Sequence, residues 1–196
     1  MVLKLEKHMP SENGIIGVLP IGNVTGPAPK IIAAHIAGYF NLDARVLPPQ
    51  DLPAKAMDRQ RLQYDAGRLI NIFEAHQWAE SLKLVAVLDV DIFVPIFTHV
   101  FGEARQGGKV AVVSLFRLGD ALPTARPSQA SILERIAKVA LHELGHLFNL
   151  QHCDNAQCLM HFSGGLEDLD LLSFNLCRYC RAYLKDALFF PTGESV

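Results

Sequence analysis

His142-Glu143-Leu144-Gly145-His146 lies near the end of a stretch, Pro127 to Phe148, whose apolar residues return with the period of a helix. Ile132, Leu133, Ile136, Val139, Ala140, Leu144 and Leu147 give that stretch a broad apolar face. Pro127 suits a first turn, and Ser131 with Glu134 has the S-x-x-E spacing of a capping box. The reading is one long helix over about 128–149. On a helix, residues four apart differ by about 40° in direction and by about 6 Å along the axis. The imidazoles of His142 and His146 therefore face one cleft and can chelate a single cation. Glu143 stands beside them, so its carboxylate can reach a water on that cation without displacing a ligand.

A cation held by three side chains keeps a fourth position open for such a water. The third ligand is assigned to His152. On a continuous helix His152 would lie about 15 Å from His142 and roughly 80° off the chelating face, so the chain has to turn sharply after Phe148. Asn149 stands where that turn is needed, and Asn tolerates left-handed backbone best after Gly.

Beyond Leu150 the composition changes. Cys153 to Asn175 reads as irregular, with Gly164-Gly165 and acidic Glu167, Asp168 and Asp170, and Cys177 to Phe190 reads as a last helix ended by Pro191. All four cysteines of the chain, Cys153, Cys158, Cys177 and Cys180, fall here. Two close pairs with residues 159–176 between them fit a closed four-thiolate zinc site, which would stabilise a segment with little apolar core. Two disulfides, a Cys177/Cys180 redox pair and plain buried thiols are the alternatives. A redox motif normally opens a helix after a strand, and Asn175-Leu176 offers no clear strand. His152 and Cys153 are adjacent, so their side chains diverge: one can enter the cleft while the other enters a structural site behind it. The turn that places His152 is therefore expected to depend on the four cysteines.

Working back toward the N-terminus, Ile15 to Leu19 reads as a buried strand closed by Pro20, Pro27 to Phe40 as a helix, and Ala44 to Leu47 as a strand. Leu62 to Leu82 carries a helical period, and Leu84 to Asp89 is the clearest buried strand. Val100 to Ala104 and Lys109 to Phe116 are two further strands joined by a turn around Gln106-Gly107-Gly108. This order predicts an α/β (α+β) chain with a mixed sheet and helices packed against it.

Composition excludes several classes. The chain has 196 residues, half of them hydrophobic, which is too apolar for a disordered chain and enough for one ordinary domain over residues 1–196. That domain divides into a sheet-and-helix part, 1–150, and a cysteine-bearing part, 151–196. With 18 Lys+Arg against 20 Asp+Glu the net charge is −2, and no basic block offers a footprint for nucleic acid. No apolar run approaches the roughly 18 residues of a membrane span. Met1-Val2-Leu3-Lys4-Leu5-Glu6-Lys7 has neither the apolar core nor the cleavage pattern of a secretion signal. The expectation is a soluble cytoplasmic protein with no nucleic-acid or membrane partner, monomeric by default.

The residues from about Leu141 to Leu184 resemble the archaemetzincin family of zinc metallopeptidases, in the metzincin clan. The clan pattern H-E-x-x-H-x-x-G-x-x-H is matched by His142, Glu143, His146 and His152, and Met160, in Cys158-Leu159-Met160, is similar to the methionine of the turn beneath the zinc. The family adds four cysteines closing with C-x-x-C, which Cys153, Cys158, Cys177 and Cys180 match. The clan's glycine is Asn149 here. The resemblance implies a metzincin-like zincin fold: a mixed, mainly parallel sheet, an active-site helix, and a cleft bordered by an antiparallel edge strand, for which Val100 to Ala104 is the candidate.

These observations favour a peptidase with two Zn2+ per chain, one catalytic on His142, His146 and His152 and one structural on the four cysteines. Such a metal polarises the scissile carbonyl and acidifies its water, while Glu143 takes the water proton and passes it to the leaving amine. Its substrate is a peptide or protein, with endopeptidase and aminopeptidase action both compatible. A zinc-stabilised peptide-binding protein with little turnover is the second reading, and a redox protein using Cys177 and Cys180 the third.

Overall fold

The structure is a computed structural model that describes residues 14–76, 78, 81–122 and 126–189. In chain order the elements are β1 (Ile15–Ile21), α1 (Ala28–His35) with a wider turn continuing it over Ile36–Phe40, β2 (Ala44–Val46), β3 (Met57–Asp58), β4 (Gln63–Asp65), α2 (Ala66–Glu74), β5 (Ser81–Leu88), β6 (Ile92–Phe93), β7 (Gly102–Ala104), β8 (Val110–Ser114), α3 (Gln129–Leu147), α4 (Leu166–Leu171) and α5 (Arg178–Phe189).

Continuous apolar runs in β1, β5 and β8 suit strands covered on both faces. They form the middle of a five-stranded sheet of order β2-β1-β5-β8-β7. β2, β1, β5 and β8 are parallel, and β7 is antiparallel to β8 at the edge. This is the mixed, mainly parallel sheet with an antiparallel edge that the family resemblance implies. Alternate residues serve opposite layers. Val85, Val87, Ala111 and Val113 pack with Ile32 of α1 and with Ile136, Ala140 and Leu144 of α3. Leu84, Ala86, Val110 and Val112 pack with Leu69, Ile70 and Phe73 of α2. Among the described residues no helix is long and apolar enough to cross a membrane.

The α3 flank carries two buried cations, which would be costly without partners. Arg135 forks onto Asp170 with both N–O distances at 2.7 Å and donates to the Leu118 carbonyl at 2.9 Å. Lys138 donates to the Leu169 and Asp170 carbonyls and pairs with Glu134 at 2.7 Å. Together they fasten α4 to α3.

Several boundaries differ from the sequence reading. The helix expected over Leu62 to Leu82 is only α2. Leu62 is exposed with φ of 55°, Gln63–Asp65 join a small second sheet of order β3-β4-β6, and Asp65 caps α2 by accepting from the Arg68 N–H. At the other end the Trp78 indole donates to the Phe73 carbonyl at 2.7 Å, and Ser81 already belongs to β5. Pro20 does not close β1. It lies inside the strand, its carbonyl accepting from the Gln50 N–H at 3.0 Å. The cap of α3 is Ser128, not Ser131: its hydroxyl accepts from the Ser131 N–H at 3.1 Å, while Glu134 is engaged by Lys138. The segment read as irregular contains α4, and the edge strand begins at Gly102 rather than Val100, which makes only an isolated bridge to Ile92.

Candidate metal centre

α3 runs under β7 and β8 and ends beside the cleft. Its last residues adopt the paired closure that stops a helix and reverses the chain: Leu150 N–H donates to Gly145 O and Asn149 N–H to His146 O, both at 3.0 Å. Asn149 takes φ of 66°, the left-handed backbone that this closure needs. The Gly107 N–H, from the β7–β8 turn, adds a second donor to His146 O at 2.9 Å. Leu150 is buried, so the reversal is anchored and the chain returns toward the helix at His152.

The reversal brings three imidazoles together. Ring centroids are 4.8 Å apart for His142–His146 and His146–His152, and 5.3 Å for His142–His152. Nδ1 of His142 donates to Leu159 O at 2.8 Å and Nδ1 of His146 to Leu150 O at 2.7 Å, which turns each Nε2 lone pair toward the shared point. The two Nε2 atoms lie 3.1 Å apart, and one ligand atom from each of the three residues lies within 4.8 Å of the others. Nitrogens bound at about 2.0–2.1 Å around a tetrahedral zinc stand about 3.4 Å apart, so the donor set fits that ion. Burial, reinforced by the neighbouring imidazoles, pulls His142 down to about 4, and burial likewise lowers His146 and His152. All three are thus neutral near pH 7, the form in which imidazole binds a metal.

Glu143 projects toward β7 and is buried. Burial, with the like charge of Glu103 second, raises its carboxyl well above the usual range. Met160 is fully buried against the helix turn that carries both histidines. A Cβ on Gly145 would lie 2.5 Å from its Sδ, so the bare backbone at Gly145 is what seats it.

Behind this group, Cys153, Cys158, Cys177 and Cys180 place their sulfurs within 4.8 Å of one another, and all four are free thiols. Cys153 and Cys177 sulfurs are 3.8 Å apart, well beyond a disulfide bond of about 2.05 Å. The Cys177 N–H points at Cys158 Sγ and the Cys180 N–H at Cys177 Sγ. The second contact holds the Cys177 thiol down at about 7, whereas burial pushes Cys158 and Cys180 up. Four sulfurs around one point match the donor set of a closed zinc site. The two clusters share a clamp: Cys153 N–H donates to Met160 O and the His161 ring to Cys153 O, both at 2.8 Å.

The pattern of peptidase family M54 matches residues 42–186. The chain belongs to that family. It is 31% identical over 173 residues to the archaemetzincin of Haloquadratum walsbyi, covering 87% of this chain and 99% of that protein. Against the archaemetzincin of Pyrococcus abyssi it is 32% identical over 181 residues, covering 89% and 96%. The crystal structure of archaemetzincin from Methanopyrus kandleri superposes with a TM-score of 0.80 at 31% identity, covering 92% of this chain and 98% of that one. A zinc-dependent peptidase from Methanocorpusculum labreanum superposes with a TM-score of 0.76 at 25% identity, covering 86% and 99%. This M54 protein is therefore a zinc metallopeptidase with the metzincin-like fold that its motif implies.

In this M54 peptidase the three histidines and Glu143 line a cleft of about 630 Å³. The cleft has walls that the sequence reading did not single out. Phe162 meets the His152 ring edge-on at 5.3 Å and stacks on Phe97 at 6.4 Å, while Gly102 and Glu103 of β7 form the opposite rim. A phenylalanine two residues past Met160 was the available signal for the first wall. Nearby polar residues have other work: Asp170 holds Arg135, Asp168 accepts from the Gly164 N–H, and His161 closes the clamp on Cys153.

Proposed function

We propose that this chain hydrolyses peptide bonds with zinc on His142, His146 and His152 and with Glu143 as general base, and that Cys153, Cys158, Cys177 and Cys180 hold a second, structural zinc. The observation that carries the reading is the convergence of three imidazoles and one carboxyl in a single cleft. When bound, the zinc supplies Lewis acidity to the scissile carbonyl and to the attacking water. The chain does the rest. Two backbone carbonyls fix the rings of His142 and His146, and Asn149 delivers His152. Glu143, lining the same cleft beside the three histidines, stands where its carboxylate can take a proton from water and return it to the leaving amine. Among the described residues β7 pairs with β8 alone and stands at the sheet edge, so an extended peptide can align on its other side through main-chain hydrogen bonds. Phe97 and Phe162 then face its side chains.

Turnover of an unbiased peptide mixture by the zinc-loaded protein tests this, with a chelator control and Glu143→Ala alongside. The expected result is cleavage that the chelator abolishes and that Glu143→Ala lowers by about 10³-fold, within the usual range for loss of an acid–base group. The fragments show at once whether peptides are cut internally or shortened from the amino end. Binding with no cleavage by either protein would favour a peptide-binding role instead.

A further inference from the structure

The Glu143 carboxyl is held by packing rather than by a charge partner. Among the described residues no hydrogen bond or ion pair ties it, and Glu103, the charged group that acts on it, has the same sign. Its neighbour on the sheet side is Gly102, the first residue of β7. A Cβ on Gly102 would lie 2.6 Å from Glu143 Cγ, 2.8 Å from Oε1 and 2.9 Å from the carboxyl carbon. Carbon atoms in ordinary contact stand about 3.5–4.0 Å apart, so Glu143 occupies the space that any other residue's side chain would fill.

Conformational freedom does not account for this glycine. Gly102 is absent from the positive-φ glycines and pairs regularly with Val113. Within a strand, glycine is a destabilising choice relative to Ala, and it commonly marks a close approach by another group. The approaching group here is the Glu143 side chain. The threatened atoms belong to a flexible side chain and not to backbone, so an added methyl would be accommodated by moving the carboxyl.

We propose that Gly102 is a positioning residue: its bare backbone forms the slot that fixes where the Glu143 carboxylate stands relative to the three histidines. The proposal rests on Glu143 being the general base. A misplacement of about 1 Å at a reacting group costs on the order of 10²-fold in rate. Gly102→Ala is therefore expected to lower kcat by about that factor, with KM and zinc content at wild-type values. The contact itself is read by a double-mutant cycle on melting temperature. Gly102→Ala lowers Tm when Glu143 is present and leaves it unchanged or raises it in a Glu143→Ala background, where the slot is empty and alanine is the better strand residue. Wild-type kcat in Gly102→Ala, or an equal Tm loss in both backgrounds, overturns the positioning role while leaving the base assignment standing. Wild-type turnover in Glu143→Ala overturns both.

Discussion

Asn149 decides whether the third histidine reaches the other two. Its left-handed backbone ends α3 and lets Leu150 and Asn149 satisfy the carbonyls of Gly145 and His146. A β-carbon at φ of 66° is strained unless the side chain compensates, which Asn does better than most residues. Asn149→Ala is expected to lower stability by about 1–2 kcal/mol, and Asn149→Gly to match or exceed the parent. Denaturant midpoints compare the three directly, and an alanine variant as stable as the glycine one would contradict the account. The role of Asn149 is legible in the sequence because helix geometry is local. Gly102 and Gly145 were not, since each is explained by a residue distant in the chain, Glu143 or Met160, that presses on its missing side chain.

At the scale of elements, the turn bearing His152 is clamped to the segment bearing Met160. Cys153 gives one hydrogen bond to Met160 and takes one from His161, and its sulfur belongs to the four-cysteine cluster. Loosening that cluster is therefore expected to loosen the turn that carries His152. Replacing Cys177 and Cys180 by serine is expected to weaken zinc binding at the histidines by about 10-fold or more, the size of effect seen when groups supporting a metal ligand are lost. Competition with a chromogenic chelator measures it, and unchanged affinity at the histidine group would uncouple the two sites. The α3 helix and a strand ending at Ala104 could be read from spacing because helical and strand periods repeat over neighbouring residues. The length of α2 could not. Its apolar period runs on past Glu74, while the Trp78 indole reaches back to the Phe73 carbonyl at the helix end, a local side-chain bond that periodicity does not carry. α4 was hidden for a similar reason: six residues are too few to show a period, and Arg135 and Lys138 hold them in place from another helix.

Across the whole molecule, paired carboxylates contribute to the response to acid. The Arg117 guanidinium forks onto Asp91 at 2.7 and 2.5 Å and holds its carboxyl below the usual carboxylate range, with Gln63 adding a hydrogen bond. Arg135 does the same to Asp170. A group whose folded pKa is depressed contributes stability that is full above its unfolded pKa, about 3.9 for Asp, and that is lost as pH falls through the folded pKa. The stability difference between the parent and Asp91→Asn is therefore expected to be constant from neutral pH to about 5 and to shrink below about 4. Denaturation series at several pH values test this, and a difference that grew in acid would reverse the sign of the assignment.

The most direct measurement is a crystal of the zinc-loaded protein with data collected on either side of the zinc absorption edge. Two anomalous peaks per chain are expected. One should lie about 2.0–2.1 Å from a ring nitrogen of each of His142, His146 and His152, with no fourth side chain as ligand. The other should lie about 2.3 Å from the sulfurs of Cys153, Cys158, Cys177 and Cys180. Rings turned away from a common ion, or a protein group closing the fourth position at the histidines, would contradict the account.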